Sequence, residues 1–531
     1  MSIVAGIDFG TASVRVALID SERGRLGTGT VPCPLRRHSD DAHFATQRHE
    51  DHCSALTSAF EMALASANIP GHAVEALAVD TTGSTVIPLD ERMRPLDDYA
   101  LWCDHRASRE AAEITTRARE WNLAALAGCG GAYSSEWGFS KVLYWLRSNP
   151  HKRSQFFTAI EHCDLMVATL CGLTEPATLP RSACAMGHKW MWDPALGGLP
   201  ADDFLVSVDP LLSGLRDRLQ GRYATSNQLA GGLCPQWAGR LGLKADIPIP
   251  VGALDAHWDA IGAGCRPGDV VNVIGTSSCI MALSDLKRGI PGVCGVVTGS
   301  IHPEKVGIEA GLAAVGDVFE AIARRAGQTV SALAKKVEAH RAGQTGLMRF
   351  AWDNGDRCVL SDPKLCGMTL GWRLHHTAED EFFAAIEGTA LHTRIIIEQL
   401  SKHGVPVERM VHGGGIPQRN EALNRVYAGV LGKPILIPAA DTTSLGAAIF
   451  AFLAAGAFKS VEEAQSALSP GYRVIEPRSE DVRIYEDLFA RFNELYFTLG
   501  QLNNDGHGLA GDQQARNAQL TSFPSLHKLN G

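Results

Sequence analysis

Residues 3–20 read IVAGIDFGTASVRVALID. Val14, Val16 and Leu18 repeat with the two-residue period of a strand, and Gly10-Thr11-Ala12-Ser13 interrupts the run. The pattern predicts a β-hairpin with a small-residue tip, Gly10 allowing the tight backbone. The plan returns half a chain later. Residues 269–284 read DVVNVIGTSSCIMALS, a β-branched run entering Gly275-Thr276-Ser277-Ser278 and an apolar run leaving it. A repeated opening predicts two related domains. Residues 74–79 form a strand-like run into Asp80-Thr81-Thr82-Gly83-Ser84-Thr85, with a second run at 86–89. Residues 100–215 are richer in helical patterns and tryptophan. Leu423, Val426, Tyr427, Val430 and Leu431 then fall on one helical face, with Gly432 at the expected C-cap and Pro434 beyond it. Residues 381–400 predict a helix, and 410–412 a short strand ending in Gly413-Gly414-Gly415. Alternating β and α elements predict an α/β protein.

Composition narrows the function. Hydrophobic residues make up 45 % of the 531-residue chain and charged residues 20 %, which excludes wholesale disorder. The net charge of −9 argues against non-specific nucleic-acid binding, which needs a basic footprint. The longest apolar stretch, 445–458 (LGAAIFAFLAAGAF), is shorter than the ~20 residues of a membrane span and predicts a buried helix. The chain opens directly in a strand, without a basic leader. Thirteen scattered cysteines without a C-x-x-C pair read as reduced thiols of a cytoplasmic enzyme and argue against structural zinc. Residues 502–531 are rich in Asn, Gln, Gly and Ser and predict a disordered tail.

Three glycine-rich turns, each following a strand, carry the chemistry. Backbone N–H groups at such turns form anion sites, and glycine lets the main chain approach a phosphate. Thr11, Ser13, Thr276 and Ser277 add hydroxyl donors. Asp8, on the strand before the first turn, suits Mg²⁺, which takes one or two carboxylates plus substrate phosphates. The triple glycine at 413–415 suits a nucleotide's ribose or phosphate. Other phosphate-handling patterns fail. No G-x-x-x-x-G-K-[ST] is present. Asp8-Phe9-Gly10 lacks the remaining protein-kinase motifs. Gly262-Ala263-Gly264 with Gly268 is off the dinucleotide spacing.

Taken together, GIDFGTASVRVALID, NVIGTSSCIMALS, GGGIPQRNEALNRVYAGVLGKPI and DTTSLGAAIFA resemble the FGGY carbohydrate kinases, over roughly residues 3–500. CGMTLGWRLHHTAEDEFFAAIEGTA is similar to that family's C-terminal signature, and EWGFSKVLYWL, with Lys141, is a looser version of its N-terminal one. The resemblance implies two actin/hexokinase-like (ribonuclease H-like) α/β domains facing each other across a cleft. Residues 1–262 would form the sugar-side domain and 263–501 the nucleotide-side domain. DTTGST, LWCDHRA, YSSEWGFSKVLYWLRSNP, RSACAMGHKWMW and LDAHWDAIGAG are most similar to members that phosphorylate L-ribulose. CDHRA, with Cys103 and Arg106, is also similar to the D-ribulose branch.

That resemblance implies ATP·Mg²⁺-dependent phosphorylation of L-ribulose at O5 in arabinose breakdown. The partners are a small sugar and ATP, with no nucleic acid and no membrane, and a homodimer remains open. Asp255 becomes the general base, although its residues alone favour a helix-capping aspartate. Lys189 contacts the ketose, and Trp190 and Trp192 beside it suggest a covered spot. Glu309 accepts hydrogen bonds from sugar hydroxyls, and Gly83 gives the sugar room. ATP falls to Thr11, Ser13, Gly275, Thr276, Gly311, Gly414 and Gly415, with Asp8 as the metal ligand. Asp104 either touches the sugar or braces the site, and Arg15 either offsets phosphate charge or is paired. His49-Glu50-Asp51-His52-Cys53 reads as a solvated helix start, and His375 and His376 as plain surface residues. Two rivals remain: an FGGY kinase for D-ribulose, xylulose or a polyol, and a nucleotide-gated binding protein without catalysis.

Overall fold

The computed structural model describes residues 2–286 and 288–502; the tail assigned to 502–531 lies outside them except for its first residue. In the first half, β1 (Ile3–Phe9), β2 (Ser13–Asp20), β3 (Gly24–Pro32), β4 (Val74–Thr81) and β5 (Ala253–Leu254) form one sheet in the order β5-β4-β1-β2-β3. β1 to β3 are antiparallel neighbours, whereas β1, β4 and β5 run parallel.

The second half repeats this arrangement. β6 (Asp269–Ile274), β7 (Ser278–Ser284), β8 (Gly295–Thr298), β9 (Val306–Leu312), β10 (Arg409–Gly413), β11 (Ile435–Pro438) and β12 (Tyr472–Ile475) take the order β8-β9-β7-β6-β10-β11-β12. Its inner strands match the first sheet one for one: β9-β7-β6 antiparallel, β6-β10-β11 parallel. The repeat heard in two short hairpins thus extends over five strands of each half.

Helices fasten the sheets. α1 (His49–Ala67) lies on β2 and β3. The predicted solvated start of α1 is wrong in part: His52 and Cys53 are buried, because this turn faces the sheet. α2 (Gly138–Ser148) and α3 (Ala183–Lys189) belong to the insert between β4 and β5, which adds Val86–Leu89, Tyr99–Ala100 and Thr158–Glu161 to Arg36–His38 and Asp41–Gln47 in a second five-stranded sheet. α4 (Asp255–Gly262) follows β5 directly. α5 (Ala378–Lys402) starts three residues before the predicted helix, because Thr377 and Asp380 form a reciprocal capping box. α6 (Glu421–Leu431) is capped by Asn420 and ends, as expected, at Gly432, with φ 60°. α7 (Thr442–Ala454) is the predicted buried helix, with Ile449, Phe450 and Phe452 almost inaccessible. α8 (Ser479–Leu502) closes the described chain.

The halves join where α4 crosses α7. A Cβ on Gly446 would lie 1.8 Å from the Trp258 carbonyl oxygen, and one on Gly262 would lie 1.9 Å from that of Thr442. Only glycine permits this approach. Trp258 stacks on Phe450 at 4.8 Å beside the crossing. α7 also lies on β1 and β4, so a helix from the second half completes the core of the first. Both helices enter the crossing with their N-termini directed at the cleft. No helix among the described residues is long and apolar enough to cross a membrane.

Candidate active site

A cavity of about 270 Å³ occupies the cleft and is lined from both halves, by Asp8, Gly10 and Asp255 on one side and by Gly275, Thr276 and Glu309 on the other. Asp255 is the first residue of α4, and its Oδ1 accepts the Ala256 N–H at 2.7 Å. The capping reading does not hold, because Leu254 occupies the N-cap and Asp255, one residue inside the helix, bonds only its neighbour's N–H; the cavity reading places it correctly on the wall. Burial, and then the charge of Asp8, push its carboxyl up to about 7. A carboxylate so raised holds its proton more strongly and is a better base than a solvated aspartate.

Asp8, next to last in β1, lies in register with Asp80 on β4. Burial pushes Asp8 up to about 6, against the pull of Arg15. Asp80 is wholly buried, and burial, the charges of Asp8 and Asp255 and a hydrogen bond shared with Asp8 drive it well above the usual carboxylate range. Arg15 is paired, bonding Asp441 of the second half at 2.9 Å and approaching Asp8 at 3.7 Å. Asp259, one turn after Asp255, binds the hydroxyls of Thr442 at 2.7 Å and Thr443 at 2.9 Å. This ties the start of α7 to α4.

The phosphate turns face each other across the cavity. Neither Gly10 nor Gly275 adopts positive φ, so the predicted conformational reason for these glycines does not apply. A Cβ on Gly275 would meet only Ser277 O at 3.9 Å, and one on Gly10 only Ser13 O at 3.5 Å and Asp8 Oδ1 at 3.8 Å, both ordinary contacts. What these glycines provide is an uncovered main chain. Thr11 lines the cavity, its hydroxyl receiving the Trp102 indole N–H at 3.0 Å. The Thr276 carbonyl accepts the Val315 N–H at 2.9 Å, which fixes the second turn.

Gly414 does need its glycine: φ is +83°, and a Cβ would lie 2.5 Å from the Ile274 oxygen. The triple glycine follows β10, parallel to the strand that delivers the second turn. Gly414 and exposed Gly415 stand outside the cavity wall, beside that turn. Ser13 and Gly311 do not line the cavity either. Ser13 receives the Gly10 N–H through its carbonyl at 3.0 Å. Gly311 is buried within β9, where a Cβ would lie 1.9 Å from Ser278 O. Its glycine is explained by strand packing.

At the other end of the cavity, Lys189 and Glu309 meet as a buried pair. Nζ lies 3.0 Å from Oε1 and 3.1 Å from Oε2. Burial opposes both charges, yet each holds the other ionised, Lys189 shifted up and Glu309 well down. His257 Nε2 is 3.0 Å from Glu309 Oε2, its Nδ1 is 2.8 Å from Cys184 Sγ, and burial notwithstanding its pKa rises to about 9. Arg357 Nη2 adds a fourth contact to Glu309 at 3.3 Å. Ligand atoms of His188, His257 and Glu309 lie close enough to hold a metal, but the lysine and guanidinium on the same carboxylate make this a cation-compensated acid rather than a metal centre.

Gly83 lines the cavity, but a Cβ there would meet Leu254 Cδ1 at 3.0 Å. Its smallness thus also serves the side chain preceding Asp255. Asp104 braces, accepting the Ala45 N–H at 3.0 Å and bonding Arg106 at 2.7 Å. Lys141 is buried and donates to the carbonyls of Ser84 at 2.6 Å, Ala100 at 3.2 Å and Leu101, tying together the segments that carry Gly83 and Trp102. Trp190 is buried, its indole bonded to Glu161 at 2.8 Å. Sequence reasoning missed His257, Asp259, Glu136 and Arg357. The first two were readable as i+2 and i+4 from Asp255. Glu136 opens the quoted EWGFSKVLYWL string but was given no role there, Arg357 stands in no motif, and the two become neighbours only through the fold.

The comparisons agree with this geometry. The N-terminal domain model of the FGGY family of carbohydrate kinases matches residues 3–175, and the C-terminal domain model matches 270–455. A protein named ribulokinase from Shouchella clausii is 34 % identical, covering 94 % of this chain and 96 % of its own. One from Vibrio parahaemolyticus is 32 % identical, with 93 % and 95 % covered. Among solved structures, a xylulose kinase from Rhodospirillum rubrum shares the fold at TM-score 0.77 and 23 % identity, covering 94 % of this chain and 99 % of that one. A Plasmodium falciparum glycerol kinase does so at 0.74 and 15 %, covering 94 % and 98 %. With both domain models matched, over a fold whose halves each present a glycine turn to one cleft, the chain belongs to the FGGY family of carbohydrate kinases.

Proposed function

We propose that this carbohydrate kinase transfers the γ-phosphoryl group of ATP to O5 of L-ribulose, with Asp255 as the general base. One observation carries the reading most: a carboxyl held near pKa 7 lies on the cavity wall that also carries both glycine turns. The nearly full-length relatives named ribulokinase support ribulose as the acceptor.

The sugar lies between Asp255 and the Lys189–Glu309 pair. Asp255 accepts the O5 proton as that oxygen attacks the γ-phosphorus, and the bond to the β-bridging oxygen breaks to release ADP. The Gly10 and Gly275 N–H groups close their turns onto Ser13 and Ser277, so that the Thr11 and Thr276 N–H groups face the phosphates, and Gly414 and Gly415 border the nucleoside. The donor set fits Mg²⁺: hard carboxylate oxygens facing phosphate turns, with Asp8 as its ligand and Asp80 beside it. The ion would neutralise phosphate charge. Residues 1–262 and 263–501 act as the two closing bodies about the α4–α7 crossing, excluding water from the phosphoryl group. A cytoplasmic setting suits thirteen cysteines, all present as thiols.

A coupled ADP-release assay across ketopentoses and polyols tests the reading. L-ribulose should show the highest kcat/KM, by about tenfold or more. A higher value for D-ribulose, xylulose or a polyol would replace the substrate and leave the kinase in place. A protein that binds ATP but phosphorylates none of them would favour the binding-protein rival.

A further inference from the structure

Two charged cavity residues have no role toward the sugar in the reading above. Glu136 comes from the insert of the first half and Arg357 from the second, and both line the cavity. Arg357 Nη2 stands 3.8 Å from Glu136 Oε2 across the cleft, beyond hydrogen-bond range. Each keeps four-fifths of its side chain from solvent. Among the described residues the Glu136 carboxylate accepts no hydrogen bond. Arg357 offers five N–H donors and directs them only at Glu309 Oε1, 3.3 Å, and the weak acceptor Cys279 Sγ, 4.0 Å. Unspent donors and acceptors facing each other in a shielded cavity are costly unless a ligand completes them.

The segment that presents Arg357 is held rigidly. Asp356 is buried and accepts from the Trp352 indole at 3.1 Å, the Ser361 N–H at 3.3 Å and the hydroxyl of Tyr496 on α8. Val359 sits at φ 77°, a conformation that β-branched residues avoid. Its N–H is fixed to the Gly292 carbonyl at 2.6 Å. Backbone strain of this kind persists where the surroundings over-determine it, often beside a ligand. Burial opposes the Arg357 charge, but the carboxylates of Glu136 and Glu309 keep it protonated.

The Glu309 carboxylate orients the pair. Its Oε2 receives His257, two residues after Asp255, whereas Arg357 takes Oε1. With the sugar placed between Asp255 and the Lys189–Glu309 pair, Arg357 and Glu136 stand at the Glu309 end of its site. We propose that Glu136 and Arg357 form a cross-cleft pair that binds the 1-hydroxy-2-keto end of an open-chain ketose. Arg357 donates to the carbonyl oxygen, and Glu136 accepts from the C1 hydroxyl. This rests on the ketose-kinase reading and deepens it: the pair selects the acceptor by the end that does not react.

The test compares L-ribulose with its 1-deoxy analogue in wild type, Glu136→Gln, Arg357→Met and Arg357→Lys. A site built around a hydroxyl rejects the analogue lacking it, so wild type should prefer L-ribulose by about 100-fold or more in kcat/KM. Glu136→Gln and Arg357→Met should cut that preference below about tenfold, mainly by raising KM, with Arg357→Lys between. Added guanidinium should restore part of the preference to Arg357→Met. The Lys and Gln variants keep the test standing if Arg357→Met fails to fold. Variants that lose activity on both sugars in equal proportion, or keep the wild-type ratio, would overturn the pair while leaving the proposed function intact. If wild type instead prefers another ketose, that sugar and its 1-deoxy analogue decide the pair. A wild type that acts only on polyols overturns it, because no keto end is then bound.

Discussion

The two halves share five strands in one topology but divide the chemistry. In the first, β1 and β4 place Asp8 beside Asp80, and the helix after β5 opens on Asp255. In the second, the equivalent strands place Val273 beside Gly413, and Asp441, at the start of the helix after β11, makes no capping bond and is spent on Arg15. One half thus gathers carboxylates for a proton and a cation. The other strips charge and side chain from its turn, so that main-chain N–H groups meet an anion. A duplicated scaffold can be specialised by few side chains when these sit at strand ends.

The division can be broken from either side. Asp255→Asn should lower kcat by about 1,000-fold or more while sugar affinity changes less than about threefold, measured by steady-state kinetics and calorimetry. Gly446→Ala attacks the junction instead. A methyl group 1.8 Å from a carbonyl oxygen forces α4 and α7 apart, at about 1–3 kcal/mol read from denaturant unfolding. Val273→Asp gives the second half the acid of the first, and ATP KM should rise about tenfold from like-charge repulsion, with sugar KM little changed.

The smallest effect concerns stability. The folded chain keeps the Asp255 proton to about pH 7, whereas an unfolded aspartate loses it near 4. Between these values the unfolded state binds fewer protons, so this group costs stability progressively as pH rises. Asp255→Asn should remove that cost, stabilising the protein progressively as pH rises from about 4 to about 7 and by nothing at about pH 4, read from denaturant unfolding at each pH. An active-site acid that only destabilises is what a functional compromise predicts.

The hairpins, the helix at Glu421–Leu431 and the buried α7 were legible because period and punctuation are local. Asp8, Asp255 and the two turns were legible because each sits next to a glycine turn or in a family string. Three things were not. The crossing of α4 and α7 depends on Gly262 and Gly446, 184 positions apart, meeting backbones whose approach no local pattern encodes. Lys189 and Glu309 were read as separate sugar contacts, and their pairing emerges only when α3 faces β9. Gly311 carried a resemblance to an ATP contact, while its place in β9 answers to strand packing.

The central claim is that Asp255 takes the acceptor proton from the floor of the cleft. The pH dependence of kcat/KM tests it most directly, since that ratio reports ionisations of the free enzyme. Asp8, Asp259 and His257 face this carboxyl, and burial with the Asp8 charge sets its pKa near 7. The account predicts that kcat/KM rises about tenfold per pH unit up to about 7 and then levels, and that the residual activity of Asp255→Asn lacks this limb. An acid limb unchanged in Asp255→Asn, or a wild-type profile flat from pH 5.5 to 8, would contradict it.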